Sequence, residues 1–300
     1  MSREAVLHLF DNLGVWKQGD KRAPHKPLLA LYALARFSRG ETAPIPFRDL
    51  DGDLTALLKE FGPPSQRYHP EYPFWYLKTD KVWVLHGHEN LRMRKGKNQP
   101  PKSELRSHNV TGEFSKDVQA ALLADRTLVW EIATRLLECH FPESIHADIL
   151  EAIAFDSGCS IQEKSKRDPK FRKKVLTAYE YQCAICGFDV KLGSVSIALD
   201  AAHIQWHQAQ GPDTEENGLA LCTLHHKTFD LGAFTLDPGG VLLVSEDANG
   251  RSGFDELLMK HHGKAINPPQ RTKHKPDPKF LDWHRREVFK REAREVGSGC

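Results

Sequence analysis

No run of 18 or more apolar residues occurs in the 300-residue chain. A helix that crosses a bilayer needs about 20, so a membrane-spanning helix is excluded. The opening MSREAVLHLF carries an acid at Glu4 and lacks an apolar core segment, so no secretory signal is expected. Cysteine is sparse, with six residues: Cys139, Cys159, Cys183, Cys186, Cys222 and Cys300. Without a secretory signal, a disulfide framework is not the default reading. Cys139 and Cys159 are expected as small core residues, and Cys300 ends a polar GSGC tail. There is no internal repeat, and net charge is only +2. What remains is an ordinary composition, 40% hydrophobic and 27% charged, long enough for two domains with their own cores.

The charge is unevenly placed. Seven Lys/Arg stand between Lys164 and Lys174 (Lys164, Lys166, Arg167, Lys170, Arg172, Lys173, Lys174) against the single acid Asp168. From Lys260 to Glu295 there are eleven Lys/Arg against five acids. Two basic segments flanking one region suit a polyanionic partner. Solvated helix faces would give the same runs.

Hydrophobic spacing predicts helices over His25 to Phe37, with Pro27 in the first turn, and over Leu54 to Gly62. Two further helical pieces are expected within Val118 to Phe141, and others over Ile145 to Phe155, Phe171 to Cys183 and the segment FLDWHRREVFKREA. The aromatic and β-branched runs YPFWYL (Tyr72 to Leu77) and KVWVL (Lys81 to Leu85), split by a short polar turn, predict a β-hairpin. SVSIAL (Ser194 to Leu199) alternates and predicts a half-buried strand. The polar stretch SIQEKSKRDPK marks a boundary near residue 160.

The chemistry-bearing residues cluster between Cys183 and Asp230. Cys183-Ala-Ile-Cys186, followed by Gly187, has the spacing that lets two thiolates meet one tetrahedral ion. Cys222-Thr-Leu-His225 repeats it with an imidazole in place of the second thiolate. A Cys3His set is closed and needs no water ligand, so Cys183, Cys186, Cys222 and His225 predict a structural zinc. Between the pairs come His203 and Asn217, and directly after the second pair comes His226, at steps of fourteen and nine positions. Phe229, Phe234 and Leu236 are expected in the core, and His261, His262, His274 and His284 at the surface.

This arrangement resembles the HNH (ββα-metal) nuclease motif over about Phe171 to Asp237. The resemblance implies a two-stranded ribbon, then a helix, pinned by the knuckle. It implies His203 as general base for a water, Asn217 as the brace of the intervening loop, and His226 as ligand of a catalytic Mg²⁺, Mn²⁺ or similar ion. Many members carry an acidic or His ligand directly before the base, where this chain has Ala202. Asp200 is the nearest substitute, although in a regular strand residues 200 and 203 face opposite sides.

The segments APHKPLLALYAL (Ala23 to Leu34) and FGPPSQRYHPEYPFWYL (Phe61 to Leu77), together with DWHRREVF (Asp282 to Phe289), resemble proteins with a sulfur-binding domain. These are McrA-like restriction enzymes of prokaryotes that act on phosphorothioate-modified DNA. The resemblance implies an α+β chain: an N-terminal mixed helical/β-hairpin DNA-reader domain (1–158), a basic linker (159–170) and a C-terminal HNH domain with a zinc knuckle (171–300). A phosphorothioate replaces one non-bridging oxygen by sulfur, which is larger, more polarisable and less hydrated. A shallow apolar cup favours it while cations hold the remaining charge. Tyr72 and Pro73 would wall that cup, with His25, Lys26 and Tyr76 beside it. Arg67, His69 and Arg3 would reach phosphates or base edges. The expected partner is double-stranded DNA, the expected place the cytoplasm with the nucleoid, and a homodimer is compatible, because one HNH centre cuts one strand. Two other readings stay open: an HNH restriction enzyme that flips out a methylated base, and a modified-DNA binding protein that does not cut.

Overall fold

A computed structural model of the chain describes residues 1–15, 19–156 and 169–296. Cys159, Cys300 and the basic residues Lys164, Lys166 and Arg167 lie outside the described residues, as does most of the 159–170 segment. The contacts divide into two compact units. The first comprises Met1–Phe141 with His146–Glu163, the second Pro142–Ile145 with Lys164–Cys300. No helix among the described residues is long and apolar enough to cross a membrane.

The first unit contains helices α1 (Arg3–Asp11), α2 (His25–Ser38), α3 (Phe47–Phe61), α4 (Glu71–Tyr76), α5 (Lys102–Ser107), α6 (Lys116–Ala124), α7 (Thr127–His140) and α8 (His146–Ala152). Among them runs a three-stranded antiparallel sheet, ordered β1 (Ile45–Pro46), β3 (Thr111–Phe114), β2 (Trp83–His86). Helix α2 forms as its spacing demands: Pro27 sits in the first turn, where an amide has no intrahelical acceptor to lose. Leu28, Leu29, Leu31 and Leu34 are fully buried. Phe10, Phe114, Trp83, Phe74 and Phe47 form an unbroken aromatic chain through the core, with neighbouring centroids 5.0–6.1 Å apart.

The hairpin expected over Tyr72 to Leu85 does not form. Glu71–Tyr76 is a helical turn continued by a 3-10 turn at Leu77–Asp80, and β2 pairs instead with β3, Trp83 opposite Phe114. The reason is packing. Pro73, Phe74 and Trp75 are consecutive and all buried, which a strand, alternating faces, cannot do. Pro70 and Pro73 fall at the cap and in the first turn, where their missing amides cost nothing. Cys139, expected in the core, is exposed on α7.

The second unit begins with α9 (Pro169–Ala178). Glu180 and Tyr181 then take left-handed conformations, φ 53° and 60°, and turn the chain into the knuckle. There Gly187, at φ +72°, donates its amide to the Cys183 carbonyl (2.9 Å). A small hairpin, β4 (Lys191–Leu192) with β5 (Val195–Ser196), precedes the ribbon of β6 (Leu199–His203) and β7 (Gly218–Cys222). The single strand expected over Ser194 to Leu199 is thus divided, because Ala198 at φ 51° breaks it. Helix α10 (Thr223–Asp230) follows β7 directly. The hairpin β8 (Phe234–Leu236) with β9 (Leu242–Val244), then α11 (Ser252–Leu257) and α12 (Pro278–Glu287), complete the unit. Phe229, Phe234 and Leu236 are fully buried, as expected. His284 is not at the surface: it is buried, stacked on Phe229 with centroids 3.7 Å apart, and hydrogen-bonded at both nitrogens.

Candidate functional site

The ribbon β6–β7 and helix α10 carry the polar residues of the second unit. His203 ends β6 opposite Gly218. A Cβ at position 218 would fall 2.4 Å from Val175 Cγ2, so glycine alone allows α9 to lie this close. That approach places the Phe171 ring against His203, stacked at 3.9 Å and 13°. Asp213 Oδ1 lies 2.7 Å from His203 Nε2, which leaves Nδ1 for another partner. Burial holds His203 below its ordinary value, while Asp213 and Asp230 pull it up and His207 pulls it down. A neutral imidazole held by a carboxylate is equipped to take a proton near neutral pH.

Asn217 is fully buried and braces the intervening loop. Its Oδ1 accepts from the Gln205 amide (2.8 Å), and its Nδ2 donates to the Gln205 and Pro212 carbonyls (3.0 Å each). Gly211 packs so tightly under this loop that a Cβ there would lie 1.8 Å from the Gln205 oxygen.

On α10, His226 Nδ1 lies 3.9 Å from Asp200 Oδ2, and its Nε2 lies 3.1 Å from Asp230 Oδ2. Asp230 is buried; burial raises its carboxyl, but His226 and Ser144 more than offset this and leave it below the usual range. Ser144 Oγ donates to Asp230, which ties Pro142–Ile145 into this unit. A carboxylate behind one imidazole nitrogen turns the other outward, as in carboxylate–histidine–metal arrangements. Asp200 and His226 are near enough to share one hard cation, since ligand atoms about 2.1 Å from an ion lie at most about 4.2 Å apart. The structure therefore brings together Asp200 with His226, and His203 with Asp213. Asp200 and His203 stand three positions apart on β6, so the two pairs share one strand. Asp213 and Asp230 have no motif spacing that would have singled them out. Only the i,i+4 step from His226 to Asp230 on a helix was open to inspection.

The ligand atoms of Cys183, Cys186, Cys222 and His225 all lie within 4.8 Å of one another. Three soft sulfurs and one imidazole nitrogen in a closed set fit a tetrahedral zinc. His225 Nε2 lies 2.8 Å from the Leu257 carbonyl, so it donates there and turns Nδ1 to the sulfurs, 3.2 Å from Cys222 and 3.6 Å from Cys183. The thiols of Cys186 and Cys222 pull Cys183 well below the ordinary thiol range. Burial lowers His225, but Cys183 and Cys222, with the Leu257 carbonyl, overcome it and raise it to about 10.

In the first unit, His69 stacks on Tyr72 with centroids 4.6 Å apart at 6°. Buried Glu71 lies 3.0 Å from His69 Nδ1 and 2.7 Å from Arg94, and Arg94 reaches the Tyr72 hydroxyl (3.2 Å). Burial holds His25 below its ordinary value, with His69 and Arg22 adding to this. Sequence reasoning missed Glu71, two residues from His69 without a motif to mark it, and Arg94, whose partners lie more than twenty residues away. Other candidates are placed as follows. Pro73 is buried on α4 beside Tyr72. Lys26 is held by Asp80 at 2.6 Å with both side chains nearly buried, and Arg3 pairs with Asp125 and Glu131. Arg67 is exposed, and Tyr76 half-buried near the end of α4.

Comparison with known proteins completes the picture. Residues 3–157 match the family model of the ScoMcrA-like DNA sulfur-binding domain, and residues 183–237 that of the HNH endonuclease. Among solved structures, the chain is similar to the sulfur-binding domain of SprMcrA in complex with phosphorothioated DNA (21% identity, TM-score 0.45, 52% of this chain and 95% of that one). It is similar also to the corresponding domain of ScoMcrA, likewise complexed (17%, 0.43, 50% and 94%), and to the modification-dependent TagI restriction endonuclease (24%, 0.29, 41% and 39%). No curated protein matches. The chain belongs to the ScoMcrA-like DNA sulfur-binding family, with an HNH endonuclease domain at its C-terminus.

Proposed function

We propose that the protein is a modification-dependent DNA endonuclease, a type IV-like restriction enzyme, that binds phosphorothioated DNA through its N-terminal domain and hydrolyses a phosphodiester bond nearby. The observation that carries this reading is one site holding two imidazoles in different roles: His203 backed by Asp213, and His226 backed by Asp230 and facing Asp200. His203 Nδ1 takes the proton of the attacking water, with Asp213 fixing the tautomer and steadying the imidazolium that forms. Asn217 keeps the 205–212 loop, and Asp213 with it, in place. Asp200 and His226 hold the divalent ion, Mg²⁺ or Mn²⁺, which when bound stabilises charge on the phosphate and the leaving oxygen. Cys183, Cys186, Cys222 and His225 hold zinc as a structural pin for β7 and α10.

In the reader, the stacked rings of His69 and Tyr72 with His25 nearby supply the apolar, polarisable surface for sulfur, Tyr76 borders it, and Arg94 and Arg67 face the phosphates. Lys26, tied to Asp80, positions α2 rather than binding the backbone alone. The reader is residues 1–158, the linker 159–170 and the nuclease 171–300, a division that the family matches over 3–157 and 183–237 support. The expected setting is the cytoplasm, on DNA. The direct test is cleavage of paired duplexes identical except for one phosphorothioate: only the modified one should be cut, and equal cutting of both would remove the sulfur-reading assignment.

A further inference from the structure

Hairpin β4–β5 is built inside out. Lys191 pairs with Ser196 and Leu192 with Val195, and the Ile197 amide donates to the Val190 carbonyl (3.0 Å). Alternation along each strand, with cross-strand partners sharing a face, puts Val190, Leu192, Val195 and Ile197 on one side. The other side carries Lys191 and Ser196. On this polar side Ser196 is half-buried and Lys191, itself exposed, carries its ammonium 5.4 Å from the centroid of Tyr181, a ring packed on the core. The four apolar side chains point away and are 49%, 74%, 66% and 42% exposed. Leu224, 58% exposed, begins beside the hairpin base, where the Thr223 amide binds the Ala198 carbonyl. Four of the eleven exposed large hydrophobic residues among the described ones thus share this face, with Leu224 beside its base. A half-solvated hairpin ordinarily turns its apolar face inward. A two-stranded sheet also leaves both edges open, a feature that folded chains otherwise blunt.

We propose that this face is the contact through which two copies of the chain associate. The choice of occupant rests on the nuclease reading above. DNA, the polyanion of that reading, would find no cation on the face. The same face on a second copy is apolar and, about a two-fold axis, complementary to itself. The exposed parts of the five side chains amount to on the order of 500 Å², as large as the largest patch on an ordinary monomer. Two copies together bury on the order of 1,000 Å², the lower bound for a specific interface, before any rim is counted. Strand β5 runs through Ala198 into β6, so the contact lies one turn of chain from Asp200 and His203. Pairing there brings two single-strand cutters together.

Sedimentation velocity of the zinc-loaded full chain over a micromolar concentration series, without DNA, tests this. The wild type should show a reversible monomer–dimer equilibrium. Leu192→Glu should weaken it about 30-fold or more, and the milder Val195→Thr at least about threefold, because the hydroxyl loses its water on pairing. Both variants should keep the wild-type thermal midpoint and zinc content, since both positions are largely solvated. A wild type that stays monomeric across the series, or a dimer that survives Leu192→Glu in folded protein, overturns the proposal. So does a face that is covered only when DNA is added. Because the assay contains no DNA, its failure leaves the nuclease reading standing.

Discussion

A base that works near neutral pH must be neutral before it acts, and His203 is held below its ordinary value mainly by burial, with Asp213 opposing. The sign of the pH dependence follows. The rate should rise with pH as His203 loses its proton, with an inflection below the ordinary histidine value, and then level off. Asp213→Asn removes an upward pull, so the acid limb of kcat/KM should move to lower pH. Lost orientation should meanwhile lower the plateau about 10- to 100-fold. A merely structural Asp213 would lower the plateau without moving the limb. His203→Ala should abolish cleavage and leave modified-DNA binding intact, checked on one preparation by a cleavage and a binding assay. Behind the other imidazole, Asp230→Asn should raise the Mg²⁺ or Mn²⁺ concentration needed for half-maximal activity about 10- to 100-fold, as loss of a carboxylate behind a ligating histidine does. An unchanged metal requirement would remove His226 from the metal site.

At the scale of elements, the ribbon and helix stand or fall with the knuckle and with one glycine. Zinc binding at a closed knuckle contributes folding free energy to the elements it joins. Cys186→Ser, or prolonged chelation, should therefore unfold the second unit while the first keeps its own transition, read as two separable steps in calorimetry. Gly218→Ala drives a methyl into Val175 and should cost about 1–3 kcal/mol in unfolding free energy. The knuckle pairs and the His–Asn–His order were legible in the sequence because their spacing is local and fixed by coordination and by a short ribbon. Asp213 and Arg94 were not, because their partners lie ten and more than twenty residues away and meet them only on folding; Glu71 and Asp230 stand two and four residues from His69 and His226 but carry no motif spacing. Helix α4 was misread for a related reason. Tyr72 to Leu77 has strand-like composition, but three consecutive side chains needed burial, and Pro73 could sit in a helical first turn. His284 looked like a surface residue in a basic helix, yet α12 turns that face onto Phe229.

For the whole molecule, the account joins a reader to a cutter, and each half should fail separately. Tyr72→Ala should reduce the preference for phosphorothioate over ordinary duplex, a difference of about 1–3 kcal/mol or roughly tenfold to a hundredfold in affinity. It should leave salt-dependent backbone binding largely in place. The central claim is that cutting depends on sulfur in the DNA. The most direct measurement is single-turnover cleavage, with Mg²⁺ or Mn²⁺, of two duplexes of one sequence, one bearing a single phosphorothioate and the other none, with His203→Ala as control. The account predicts scission near the modification in the sulfur-bearing duplex alone, and none by His203→Ala. Equal cutting of both duplexes by the wild type, or cutting of neither while the modified one is bound tightly, would contradict it.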